Sequence, residues 1–347
     1  MSSKERLDRT LRREKVDRVC IYEMDAYGLK ARCSDLLMRD IRYEPKLAAQ
    51  ATVALRRYTG MDISTCAPEI RAPLKDAGVA MNEPDNGPSI PVGKIYATPE
   101  DVDAKEIYDP FDPKQTPWTN LGIYDKVRLA REMLGDEEPL IGASTSVFTM
   151  AALLRGIEAF LMDTLLDENL ASKIVAKTEP IVHASHSRSV EAGANVVELA
   201  DPIASEDLVS HDMFRRYVFE PTKRIVDDMH SYGVPVLSHI CGNTRNTSRY
   251  MPELGMDMFS CDSTVDLAYY KEEIGDRVVI MGAVPTVTHL LNGTPETVLE
   301  ASRQCIEKGA PGGGFVLCPA CEIPQASPWE NIMAMMTAAE RFTPIYQ

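Results

Sequence analysis

The sequence predicts an α/β fold, a closed (β/α)8 TIM barrel with an N-terminal extension and an inserted hairpin region. Three observations predict it. Eight short apolar runs punctuate the 347 residues. Amphipathic helical patterns separate most of them, and alternating strand and helix implies a parallel sheet. Eight such units close into a barrel more readily than they spread into an open sheet. The composition, 44% hydrophobic and 26% charged, is that of an ordinary globular chain long enough to bury a large core, and the whole of 1–347 is expected to form one barrel domain.

In chain order the expected strands are 19–24 (VCIYEM), 62–67 (DISTCA), 139–145 (PLIGAST), 195–201 (NVVELAD), 235–241 (PVLSHIC), 258–262 (MFSCD), 278–284 (VVIMGAV) and 314–318 (GFVLC). Helical periodicity fills 125–134, 169–192, 212–231, 294–308 and 328–342, and the two longest of these can cross a whole barrel wall. The glycine cluster Gly309, Gly312, Gly313 and Gly314 precedes a strand, whereas phosphate-cradling loops follow one. It therefore reads as a helix stop and tight turn. Met333, Met335 and Met336 read as the core face of the last helix. The region 71–116 breaks the pattern with seven prolines, and its Asn86-Gly87 pair suggests a hairpin. We read it as an insertion over the barrel mouth.

Charge excludes several functions. The formal net charge of −15 opposes binding to nucleic acid, which needs a basic face, and to anionic membrane surfaces. No run approaches the roughly 20 apolar residues of a membrane span. The opening MSSKERLDRTLRREK has no apolar core segment of a secretory signal. A cytoplasmic setting is expected, in which the eight cysteines stay reduced. Each is then either a packed thiol or a group with metal or thiol chemistry.

The sharpest local signal is His239-Ile240-Cys241-Gly242 at the end of an apolar run. Residues two apart on a strand share a face, so His239 and Cys241 project together while Ile240 turns to the helices. An imidazole and a thiol so placed suit one borderline metal; they also suit core packing. A second run, Phe315 to Cys321, again ends in cysteine. Strand ends of a barrel surround one opening, where a cysteine of this run can meet the His-x-Cys pair. One His and two Cys leave a fourth zinc position open, as catalytic sites do. Cys318 and Cys321 together would instead close a structural Cys3His site.

Carboxylates near the same rim are Glu198, Asp201 and Asp262. Each suits a substrate acid or base, an outer partner of a metal, or a helix cap. Glu198 stands inside an apolar strand and needs a partner or a polar barrel interior; Asp201-Pro202 has the form of a turn start. Ser144 and Thr145 end another strand at the mouth. His183 and His186, three apart on a long helix, are expected at the solvent face. His211 reads as a capping-region residue, and His289 follows a strand closely enough to reach the mouth.

These residues resemble the uroporphyrinogen decarboxylase superfamily in its zinc methyltransferase branch, which contains the methylcobamide:coenzyme M methyltransferases. Arg6-Leu7 and Glu14 to Val19 are similar to the family's N-terminal helix and first strand. Asp201-Pro202-Ile203-Ala204-Ser205 resembles a barrel-rim segment, and His239-Ile240-Cys241-Gly242 the branch's His-x-Cys half-site. Cys321-Glu322-Ile323-Pro324 with Pro328-Trp329-Glu330-Asn331 resembles the segment that carries the last cysteine ligand. The resemblance implies Zn2+ held by His239, Cys241 and Cys321, with Cys318 the competing third ligand and Asp262 matching an acidic group near the metal. It also implies a methylated corrinoid (methylcobamide) as co-substrate on a separate corrinoid-binding protein, and a small-molecule thiol or similar methyl acceptor. Alternatives are demethylation of a methylated amine, thioether or methoxy compound onto a corrinoid, a metal-independent barrel that binds such a partner without chemistry, and a decarboxylase. Against the last, the segment after Val19 reads Cys20-Ile21-Tyr22-Glu23-Met24-Asp25, with no arginine for a polycarboxylate. Coenzyme M carries a sulfonate and calls for a rim cation; the residues alone do not assign one.

Overall fold

The computed structural model describes residues 1–24, 27–66 and 71–346. Eight strands form the barrel: β1 (Cys20–Ile21), β2 (Ser64–Thr65), β3 (Leu140–Ser144), β4 (Val196–Ala200), β5 (Val236–Ile240), β6 (Met258–Cys261), β7 (Val279–Val284) and β8 (Phe315–Pro319). They pair in parallel in the order β1-β8-β7-β6-β5-β4-β3-β2. A parallel bridge from Tyr22 to Ile63 joins β1 to β2 and closes the circle. All eight expected strands are present; the end of the second, Ala67, lies outside the described residues, as does the Ser144 side chain.

Strand alternation sorts the side chains into two cores. Tyr22, Ile63, Val196, Leu237, Met258, Met281, Val316 and Cys318 fill the barrel interior. Val197, Leu199, Val236, Ile240, Phe259, Ile280 and Leu317 pack outward against the helices. The N-terminal helix Ser3–Leu11 plugs the bottom of the barrel with Leu7. The insertion holds the expected hairpin, Met81–Asn82 paired with Ile90–Pro91. The glycine cluster is a helix stop, since helix Pro295–Gly309 ends there before β8 begins. Among the described residues no helix is long and apolar enough to cross a membrane.

The β1–β2 seam is the weak point of closure, because each strand contributes two residues. Charge reinforces it. Asp62, fully buried, accepts from Arg6, from Arg18 at 2.6 Å and from the backbone N–H of Ile21 at 2.9 Å. Arg6 also grips Asp17 with two bonds of 2.8 Å. This bidentate bond, together with the charge of Arg6, holds the Asp17 carboxyl below its usual range against a modest burial effect. The family-like N-terminal residues Arg6, Asp17 and Arg18 are thus the rivets of the barrel floor.

One expectation is overturned. His186 is buried, not solvent-facing. Helix Glu168–Glu191 is 24 residues long, and its C-terminal half lies against the barrel wall, where the His186 Nε2 contacts the Thr145 carbonyl at 2.7 Å. His183, one turn earlier, is half-buried and meets Asp228 at 2.7 Å.

Two outcomes follow for stability. Asp62→Ala leaves the buried Arg6 guanidinium, still held by Asp17, facing the partly exposed Arg18 and should cost about 3 kcal/mol in denaturant unfolding. Burial pushes the His186 imidazole down from 6.5 to about 4. Between those values the unfolded chain binds the extra proton, so His186 should withdraw up to about 3 kcal/mol of stability as pH falls through that window. Urea unfolding at pH 7 and pH 4.5 should show this loss in the natural protein and a smaller one in His186→Gln.

Candidate metal centre at the barrel mouth

Parallel strands end at one rim, and β5 and β8 bring their terminal residues together there. His239 stands on β5, paired in register with Ala200 of β4 and Ser260 of β6. Cys241 follows β5 and Cys321 follows β8 by two residues. The His239 Nε2 lies 3.0 Å from the Cys241 Sγ, and the two cysteine sulfurs are 3.5 Å apart. All three ligand atoms fall within 4.8 Å of one another. Tetrahedral zinc with one nitrogen and two sulfur ligands sets those atoms roughly 3.4–3.8 Å apart, so the set fits such an ion with small side-chain adjustments.

Electrostatics support the same reading. The Cys241 S–H stabilises a Cys321 thiolate, and neighbouring His239 adds to this, so Cys321 is drawn well below the ordinary thiol range despite burial. The thiolate beside it, burial, and the charges of Asp262 and Glu198 then hold the second proton on Cys241 tightly. One proton leaves readily; the other leaves when a cation replaces it. A metal ion bound between the sulfurs would supply that cation. Among the described residues three protein groups converge, so a four-coordinate ion held by them would keep one position for another ligand.

Cys318 does not join them. It is fully buried, faces the barrel interior below the rim, and its sulfur lies 3.9 Å from the Ser260 hydroxyl. Burial pushes its thiol up. Cys318 is the last but one residue of β8, and the chain beyond Pro319 carries Cys321 over the opening.

The three carboxylates take different places. Glu198 is buried in the interior and accepts from the Tyr22 hydroxyl at 3.0 Å. Asp262 accepts from the Gly242 N–H at 2.9 Å and so ties the turn after Cys241 to the end of β6. That turn needs glycine: its φ is +79°, and a Cβ there would meet an Asp207 carboxylate oxygen at 2.5 Å. Asp201 is directed away from the sulfurs. It accepts from Ser146 Oγ at 2.7 Å, from Thr149 N–H at 3.0 Å and from Thr149 Oγ1 at 2.5 Å, which caps the helix Val147–Arg155. Burial outweighs these bonds and raises its carboxyl to about 6.

The family model for uroporphyrinogen decarboxylase (URO-D) matches residues 2–342. The chain belongs to the uroporphyrinogen decarboxylase family. Within this family it is 26% identical over 345 residues to a methylcobamide:CoM methyltransferase of Methanosarcina acetivorans, with 98% of each chain covered. It is 28% identical over 306 residues to a methylated-thiol–coenzyme M methyltransferase of Methanosarcina mazei, covering 87% of this chain and 78% of that one. A solved methyltransferase from Methanosarcina mazei shares the fold with a TM-score of 0.86, 24% identity and 99% of each chain covered. The resemblance to the methyltransferase branch is therefore borne out.

His289, expected within reach of the mouth, instead lines a side cleft of about 360 Å³ with Ser263, Asp266, Pro285, Cys305 and Lys308 and does not join the His–Cys group. One feature escaped the sequence. Ser260 was not singled out, although it sits at the site. Its hydroxyl and carbonyl oxygens lie 3.1 and 3.2 Å from the His239 Nδ1. Donation from Nδ1–H to these oxygens leaves the Nε2 lone pair facing the sulfurs, the tautomer a metal requires. Strand alternation could have flagged it, since Ser260 is the inward residue of β6 beside His239.

Chelator competition should separate these roles. Cys318→Ala should keep its zinc affinity. Ser260→Ala should lose about tenfold, at the low end for such outer partners because the backbone carbonyl remains. Cys321→Ala should lose bound zinc.

Proposed function

We propose that this protein is a zinc-dependent methyltransferase that moves a methyl group between a methylated corrinoid, carried by a separate corrinoid-binding protein, and a small thiol held at the barrel mouth. The observation that carries the proposal is the meeting of His239 Nε2, Cys241 Sγ and Cys321 Sγ at the mouth, with one coordination position left over. The names of the relatives, methylcobamide:CoM and methylated-thiol–coenzyme M methyltransferases, support the class of reaction.

Zinc, when bound, supplies a Lewis-acid position at which a thiol is held as its thiolate near neutral pH. The chain's own residues do the rest. Cys241 and Cys321 contribute two negative sulfurs, which keep a neighbouring thiolate electron-rich and nucleophilic. His239, oriented by Ser260, fills a neutral position. Asp262 fixes the Gly242 turn and with it the direction of the Cys241 sulfur. Glu198, bound to Tyr22, places a carboxylate in the interior beneath the sulfurs, where it disfavours solvent-derived anions. Asp201 acts on the rim as a cap. The cobalt-bound methyl has to arrive from outside, since the barrel interior below the cluster is filled by side chains.

The reverse transfer, from a methylated thioether, amine or methoxy compound to a corrinoid, uses the same donor set. The methylated-thiol relative favours a thioether among these donors.

Methylcobalamin can stand in for the partner-bound corrinoid. Purified protein should demethylate it only when a thiol is added, read from the loss of methylcobalt absorbance. Cys321→Ala should lower the rate by at least about a hundredfold and remove the roughly one zinc per chain. A zinc-free protein that turns over at the natural rate would overturn the proposal.

A further inference from the structure

All eight cysteines are free, and two of them differ from the rest. Cys20, Cys66, Cys261 and Cys318 are buried, and Cys33 and Cys305 are half-buried. The Cys261 thiol donates to the Met281 carbonyl at 3.2 Å, and the Cys318 sulfur lies 3.9 Å from the Ser260 hydroxyl. Among the described residues Cys241 and Cys321 form the one pair of thiols in contact. Their sulfurs are 3.5 Å apart and both residues are partly exposed at the mouth. A disulfide sets its sulfurs at roughly 2.05 Å, so the pair has to close by about 1.5 Å.

The backbone holds the three groups of the cluster with different firmness. His239 lies inside β5, paired with β4 on one side and β6 on the other. Cys241 follows the last residue of that strand and precedes Gly242, whose φ is +79°. Cys321 lies two residues beyond the end of β8. Both sulfurs are thus carried on segments outside the strand ladders. A modest turn of these segments and of the two side chains brings the sulfurs together, while His239 stays in its strand.

Resting on the methyltransferase reading above, we infer that Cys241 and Cys321 form a redox switch of the same site: a small-molecule disulfide, the oxidised form of the kind of thiol held at the mouth, joins them in an intramolecular disulfide and expels the metal. One protein sulfur attacks a sulfur of the incoming disulfide. The S–S bond of that molecule breaks and one small thiolate leaves, which creates a mixed disulfide. The other protein sulfur attacks the protein-side sulfur of the mixed disulfide, and the second small thiolate leaves. The two protein sulfurs lose two electrons, and the small disulfide takes them up as two thiolates that gain their protons from solvent. His239 then remains as a single ligand, too few to retain zinc. The transferase stops when its thiol acceptor is oxidised and restarts once thiol and zinc return.

The test titrates zinc-loaded protein with oxidised glutathione under anaerobic conditions. Zinc release is read with a colorimetric indicator, and the linkage by mass spectrometry of a non-reduced digest. The expected result is loss of roughly one zinc per chain, in step with the joining of the Cys241 and Cys321 peptides at the cost of two hydrogens. Dithiothreitol with added zinc should reverse both changes. Cys241→Ser should stop at a glutathione adduct on Cys321, a gain in mass without an internal link. A stable glutathione adduct in the natural protein, a link to any other cysteine, or a Cys241–Cys321 disulfide that leaves zinc bound overturns the switch. None of these touches the methyltransferase reading, which is measured on the reduced protein. Reduced protein that takes up no zinc overturns both.

Discussion

Everything at the mouth depends on the closure of an eight-stranded parallel sheet. His239 and Cys241 belong to one strand end and Cys321 to another, with 79 residues between the two cysteines. They meet because parallel strands all finish at the same rim, and because a closed circle curls that rim around a single opening. An open sheet would place the ends of β5 and β8 along one edge, separated by two intervening strands. The seam that closes the circle is held by two-residue strands, the Tyr22–Ile63 bridge and the Asp62 charge cluster. The chemistry at the top of the barrel therefore rests on an ion-pair network at its floor.

The site is built in two levels with opposite requirements. Below the rim, the interior is mostly apolar and the few polar groups are engaged: Tyr22 with Glu198, Ser260 with His239. At the rim, the sulfurs are half-exposed and share a proton that burial and the nearby carboxylates make hard to lose completely. The lower level gives His239 one ring orientation and one tautomer. The upper level leaves a cation-shaped deficit between the two sulfurs. The same carboxylates that sharpen this deficit, Asp262 and Glu198, also hold the remaining proton on Cys241.

Several functional details were legible because they depend on local rules. Strand alternation placed His239 and Cys241 on one face and Ile240 on the other. The position of the glycine cluster before a strand marked a helix stop, and Asn86-Gly87 marked the hairpin. Details that depended on long-range packing were not legible. His186 looked surface-bound because a helical periodicity does not reveal which face of a 24-residue helix lies against the barrel wall. Asp201 looked like a cap for the turn it begins, yet it caps the helix after β3, a neighbour contributed by another βα unit.

By itself the sequence determined the strand count, the barrel class, the family and the His-x-Cys half-site, because each follows from short-range periodicity or from residues adjacent along the chain. Only the tertiary structure decided that Cys321, and not Cys318, stands with that half-site. Both cysteines end the same apolar run, three residues apart, and their identities are equivalent to a zinc ion. What separates them is height along the barrel axis: Cys318 is still inside β8 among the packed side chains, and Cys321 has passed the end of the strand and turned over the opening. That height is set by the register of β8 against β7 and β1, a property of the closed sheet that no local stretch of sequence contains.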